Sequence, residues 1–315
     1  MSLVEVENLK VMYQSFEAVK GINFYSDSGR VLGILGGNGA GKSSTLRSLA
    51  TVTPASSGNI MVDGVSITDP RHIDYGRSLI GYCPDVGGLI PQATIKEHLT
   101  LALNLHNKMH LWDSAVNLVT RFGLGESLHK QAGGFSHGMS RRFSVVLALL
   151  TSQKVLILDE PFDGVDPIGV EETIKAVNEA KAAGLTVIIS THLQSLLVEA
   201  SDDILIMSRG EIIARGKAEK FRGEEGAELY KSILEGHLSS SSEAKPVTDS
   251  TLDAPTGSHE SSLEDAETQD ALASLDTPVE GAGEAQEGAR TSQESRDARK
   301  PAHNPTAPYE SVQSL

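Results

Sequence analysis

The chain has 315 residues, 39% of them hydrophobic, a single cysteine and a formal net charge of −15. One cysteine excludes an internal disulfide framework and a cysteine-based zinc knuckle, and no apolar run approaches the ~18–20 residues that a membrane helix requires. Residues 237–315 carry 15 acids against 5 bases, two thirds of the net charge, and the rest shows no basic stripe, so no nucleic-acid partner is expected.

The first ten residues include Glu5 and Glu7 and lack the basic region and apolar block of a secretory signal, so a cytoplasmic location is expected. Short apolar runs then alternate with helical patterns from Leu3 to about Gly236, which predicts an α/β sheet with crossover helices. The N-terminal part is richer in strands. Segment 31–35 reads as a buried parallel strand, and Gly36-Gly37-Asn38-Gly39-Ala40-Gly41-Lys42-Ser43 follows it at the opening of a helix. This is a phosphate-binding loop in sequence and in context. Its glycines let backbone N–H groups converge on phosphate oxygens, Lys42 reaches the outer phosphates, and Ser43 is placed to ligate Mg²⁺.

Segments 93–105, 112–122 and 138–150 have helical apolar spacing, which predicts a helical subdomain at about 84–152 inserted into the sheet. His106 and His110 share helical spacing, but no acid or cysteine follows at a zinc-like distance, so a surface helix is expected. A second buried strand at 155–158 ends in Asp159-Glu160, two carboxylates at the strand end where α/β sheets bind ligands. Asp159 can support Mg²⁺ directly or through water, and Glu160 can act as base toward an attacking water. A third buried strand is expected at 186–190, after the helix stop at Gly184. The three should form the sheet centre. The domain is placed at 1–236. The remainder, 237–315, is rich in Ser, Thr, Ala and Glu and poor in large apolar residues, so it is expected to be disordered.

The order of these motifs resembles the ATP-binding cassette (ABC) ATPases over residues 1 to about 220. Phe135-Ser136-His137-Gly138-Met139 is similar to the family signature, Asp163-Gly164-Val165-Asp166 to the D-loop, and Ser190-Thr191-His192 to the switch histidine. Tyr13 stands where the family has an aromatic ring that stacks on adenine. The resemblance implies a phosphate-loop NTPase sheet, parallel at its core with an antiparallel N-terminal part. It also implies a homodimer or heterodimer of ATPase domains. Each ATP would be held by the phosphate loop of one domain, with Gly36 to Ser44, and by Ser136 and the amides around Gly138 of the other. His192 would contact the γ-phosphate and the region of Glu160, and Asp166 would belong to the D-loop.

Asp85 occupies the usual glutamine position in the loop between sheet and helical subdomain. It could ligate Mg²⁺ only if the loop moves closer, and would otherwise repel the triphosphate. Gly37 and Ser44 replace a common proline and threonine without removing a donor that the loop needs. The His137-Gly138-Met139 variant resembles the exporter branch that includes sodium and antibiotic extrusion ATPases, whose multi-spanning membrane subunit is a separate polypeptide. Leu89 and Ile90 could dock on such a subunit or simply pack beneath the helical subdomain. Two rival functions stay open, a soluble ABC ATPase without a membrane partner and a weakly hydrolysing nucleotide-dependent regulatory module.

Overall fold

The N-terminal strands alternate buried and exposed side chains, the pattern of strands that cover a core on one face. In the computed structural model, which describes residues 2–242, β1 (Ser2–Tyr13) pairs antiparallel with β2 (Phe16–Asp27) and with β4 (Ser57–Val62), and β5 (Val65–Ser66) completes a four-stranded sheet. A second, six-stranded sheet contains β3 (Val31–Leu35), β6 (Ile80–Cys83), β7 (Val155–Asp159), β8 (Thr186–Thr191), β9 (Asp203–Ser208) and β10 (Glu211–Lys217). Its order is β10-β9-β3-β8-β7-β6; all neighbours are parallel except β10 on β9.

The three strands expected at the centre are adjacent there as β3, β8 and β7, and every residue in them is buried. Uninterrupted apolar sequence is what burial on both faces demands. Pairing with β8 carries β7 one residue past the expected end, to Asp159, which lies opposite Ser190. The N-terminal acid of the Asp159-Glu160 pair is therefore part of the strand.

Eight helices run through the described residues: α1 (Lys42–Leu49), α2 (Ile73–Leu79), α3 (Ile95–Leu105), α4 (Trp112–Arg121), α5 (His137–Thr151), α6 (Pro167–Ala182), α7 (Gln194–Ala200) and α8 (Gly223–Ser242). Helices α3, α4 and α5 are those expected in the helical subdomain. The starts of α3 and α5 are fixed by side-chain caps, whereas α4 begins at Trp112, where spacing placed it, without one. Thr94 and Glu97 form a reciprocal capping box before α3, and Ser136 Oγ accepts from Met139 N at 3.2 Å before α5. At the other end of α5, Lys108 Nζ donates to Leu150 O at 2.9 Å and Ser152 O at 3.1 Å, which satisfies carbonyls that the helix leaves open. Helix α8 runs through the boundary expected at Gly236, and the segment 243–315, most of the expected tail, lies outside the described residues.

Two apolar cores result, one between the two sheets and one between the six-stranded sheet and the helices. Phe143, fully buried on α5, meets the rings of His98 and Phe135 edge-on at 5.5 and 6.3 Å, so a single ring ties α5 to α3 and to the signature segment. The docking pair divides. Leu89 packs on the helical core, whereas Ile90 is exposed. His106 caps the end of α3 and His110 lies in a short 3₁₀ turn; among the described residues no cluster of three His, Cys, Asp or Glu could hold a metal. Phe143→Ala should cost about 3–5 kcal/mol of stability, read from urea unfolding, because the removed ring leaves a cavity between α3, α5 and the signature segment.

Candidate nucleotide site

The site begins where β3 stops. The chain turns through 36–41 and re-enters helical structure at Lys42, a strand–loop–helix path that points backbone N–H groups of α1 toward the loop. Glycine is required here at two positions for different reasons. A Cβ at Gly36 would lie 2.5 Å from Met207 O, and Gly41 adopts φ 99°, where its Cβ would also meet Ala18 O at 2.7 Å. At Gly37 and Gly39 a Cβ would meet nothing within 4 Å, so this stretch of backbone is open to a ligand.

Lys42 is buried although it carries a charge, and a buried ammonium needs partners. Its Nζ donates to Gly36 O at 2.8 Å and lies 3.0 Å from Glu160 Oε1. Glu160 follows β7 in the left-handed region, φ 48°, a conformation that costs a non-glycine residue on the order of 1–3 kcal/mol. The turn is held by Glu160 N donating to Ser190 O at 3.1 Å and Ser190 Oγ at 3.2 Å. It brings Glu160 Oε2 to 3.1 Å from His192 Nδ1, with His192 N donating to the same oxygen at 3.3 Å. One carboxylate thus bridges the loop lysine and the histidine after β8.

Asp159 is fully buried. Its Oδ1 accepts from Ser43 Oγ at 3.1 Å and from Ser190 Oγ at 2.5 Å, while its Oδ2 has no hydrogen-bond partner. Burial raises its pKa above the usual carboxylate range, with the neighbouring charges of Asp85 and Glu160 adding to the effect. A serine hydroxyl beside an incompletely satisfied buried carboxylate is an oxygen donor set that fits Mg²⁺, which takes few protein ligands and fills its octahedron with water and phosphate oxygen.

Across a cavity of about 390 Å³ the loop faces Asp85, Glu160, Asp163 and His192. Asp85 is not a bare charge, since Arg141 donates to its Oδ1 at 2.9 Å. The other expected residues stand outside this cavity. Tyr13 is at the turn between β1 and β2, half exposed. Ser136 and Gly138 are at the start of α5, where a Cβ on Gly138 would lie 2.6 Å from Gly164 O, and Asp166 caps α6 by accepting from Gly169 N at 2.9 Å. Three participants were not singled out from the sequence. Ser190 was read only as motif context, yet it bonds both carboxylate residues. Asp163, named only within the D-loop motif, reaches His137 Nε2 at 3.2 Å, and Arg141 donates to Asp85 Oδ1.

Residues 19–163 match the ABC transporter family. The chain is 33% identical over 242 residues to the uncharacterized ABC transporter ATP-binding protein YxlF of Bacillus subtilis, covering 75% of this chain and 79% of that protein. It belongs to the ABC transporter ATP-binding proteins. The lipopolysaccharide export system ATP-binding protein LptB of Haemophilus influenzae is 30% identical, with 71% of this chain and 95% of that protein covered. A solved ATP-binding subunit of an ABC transporter superposes with TM-score 0.68 at 28% identity, over 74% of this chain and 100% of that one. As in that family, this ATP-binding subunit has a phosphate-loop sheet with a helical subdomain, and no described helix is long and apolar enough to cross a membrane.

The raised pKa of Asp159 sets the sign of a stability effect. The folded state holds its proton more tightly than the unfolded chain, so ionising it above the ordinary carboxylate range costs stability. Asp159→Asn should therefore be more stable than the parent at pH 7 by thermal unfolding, and the difference should close as the pH is lowered below about 4.

Proposed function

We propose that this ATP-binding subunit hydrolyses MgATP as one half of a dimer of ATPase domains and drives export through a separate multi-spanning membrane subunit, working at the cytoplasmic face of the membrane. The observation that carries the hydrolytic reading is the contact chain Lys42–Glu160–His192 across the phosphate loop.

Each member of that chain has a distinct task. Lys42, within the loop, is the cation for the outer phosphates. When it turns from Glu160 to phosphate, the carboxylate is left as an acceptor for the proton of an attacking water. His192 holds the second oxygen of Glu160, which keeps the base aimed, and is itself placed for the γ-phosphate. The N–H groups of 37–42 bind the phosphate oxygens, with Ser44 next to them on α1. Ser43 and Asp159 would hold Mg²⁺, and Asp85 would join them only if its loop moves closer. The bound ion would neutralise charge on the transferring phosphoryl group. Tyr13 would cover adenine, and Ser136 with the amides around Gly138 would close on the γ-phosphate of the partner domain. Asp166 would line the contact between the two domains.

Export is supported by the Ser136-His137-Gly138-Met139 form of the signature, which resembles the extrusion branch, and by the likeness to LptB, whose name assigns it to an export system.

Glu160→Gln should lower kcat by roughly 10²–10⁴-fold, the usual worth of a general base, while fluorescent ATP analogues bind within a few fold of the parent. Unchanged phosphate release would refute the assignment. The same variant with MgATP should hold the assembled complex closed. A pull-down from solubilised membranes should then recover a multi-spanning protein in defined stoichiometry, whereas recovery of soluble proteins alone would overturn the transport reading.

A further inference from the structure

The hydrolytic scheme leaves one guanidinium unused. Arg141, early in α5, is 4% exposed, and three groups from two other elements surround it. NH1 donates to Pro84 O at 2.8 Å and reaches Asp159 O at 3.4 Å, and NH2 donates to Asp85 Oδ1 at 2.9 Å. Pro84 and Asp85 open the loop that leaves β6, and Asp159 ends β7. One side chain therefore links the signature helix, the loop that enters the helical subdomain and the strand end beside Glu160. The planar fork bonds Pro84 O and Asp85 Oδ1 through two separate nitrogens in one fixed geometry, which a flexible ammonium does not impose.

The charges around the cavity make this link consequential. Asp85, Asp159 and Glu160 are all close to where a triphosphate would lie. Lys42 offsets Glu160 and Arg141 offsets Asp85. Without Arg141, Asp85 would present an uncompensated negative charge to an anion in a partly desolvated cleft.

We propose that Arg141 is a positioning residue for ATP binding and hydrolysis: it cancels the charge of Asp85 and holds that carboxylate at the cavity wall, so nucleotide affinity depends on the Asp85–Arg141 pair. This inference rests on the reading of the cavity as the ATP site.

The test uses the purified full chain with Arg141→Gln, Asp85→Asn and the double variant, each checked for folding by circular dichroism and thermal unfolding. Equilibrium binding of fluorescent ATP and ADP is measured with and without Mg²⁺, alongside kcat and KM. Arg141→Gln should weaken ATP binding without Mg²⁺ on the order of tenfold, and weaken ADP binding less because ADP carries less charge. The double variant should recover to within about threefold of the parent, since both charges are gone. Arg141→Lys should keep affinity but lower kcat, because the fork that fixes the loop is lost. Equal losses for ATP and ADP, or a double variant that binds ATP no better than Arg141→Gln alone, would mean a merely structural ion pair and overturn the proposal. If Arg141→Gln does not fold, Asp85→Asn decides: tighter ATP binding with a lower kcat supports the pair, and no change in either overturns it. A parent chain that binds ATP without hydrolysing it would defeat the hydrolytic reading, while the binding measurements would still decide the role of Arg141.

Discussion

Asp159 and Glu160 are carboxylates placed where water hardly reaches, at the end of a strand buried on both faces, and each must find its compensation within the chain. Much of the local structure follows from that demand. Lys42 and His192 converge on Glu160, Ser43 and Ser190 converge on Asp159, and Ser190 also supports the left-handed turn that separates the two acids. The compensation is incomplete by one oxygen, Asp159 Oδ2, and that incompleteness is what suits the site to a hard cation. Replacing buried charges by well-packed apolar residues is often neutral or stabilising, but it leaves no oxygen to hold a cation.

The same demand explains why β3, β8 and β7 stand side by side within the sheet. A loop that cradles phosphate must be held from below, and it hangs from β3, whose neighbour β8 carries Ser190 and whose next neighbour β7 carries the acids. Parallel pairing brings all three carboxyl ends to one edge of the sheet. The helical subdomain reaches that edge through few polar contacts. Arg141 is the most buried of these, while Phe143, two residues on, anchors α5 in apolar surroundings. Grip on the sheet and grip on the subdomain thus lie side by side on one helix.

Capping shows where periodicity reads well and where it does not. Apolar spacing found α3, α4 and α5 and placed the start of α4 at Trp112, but the first residues of α3 and α5 were set by the caps Thr94 and Ser136, which the spacing does not weigh. The end of α8 illustrates the opposite failure. Composition shifts near Gly236, yet α8 runs through that point to Ser242, the last described residue, because backbone hydrogen bonds and not charge density carry a helix forward.

By itself the sequence determined the α/β class, the central strands and the phosphate loop, because each rests on residues close together in the chain and on backbone rules that act locally. It also determined that Asp159 and Glu160 sit at a strand end. Only the tertiary structure decided which oxygen meets which donor. Ser190 serves both acids because β7 and β8 pair in one particular register, and Asp85 is neutralised because α5 lays a guanidinium 56 residues away in sequence against it. Such pairings are set by packing between elements, and no local pattern encodes them.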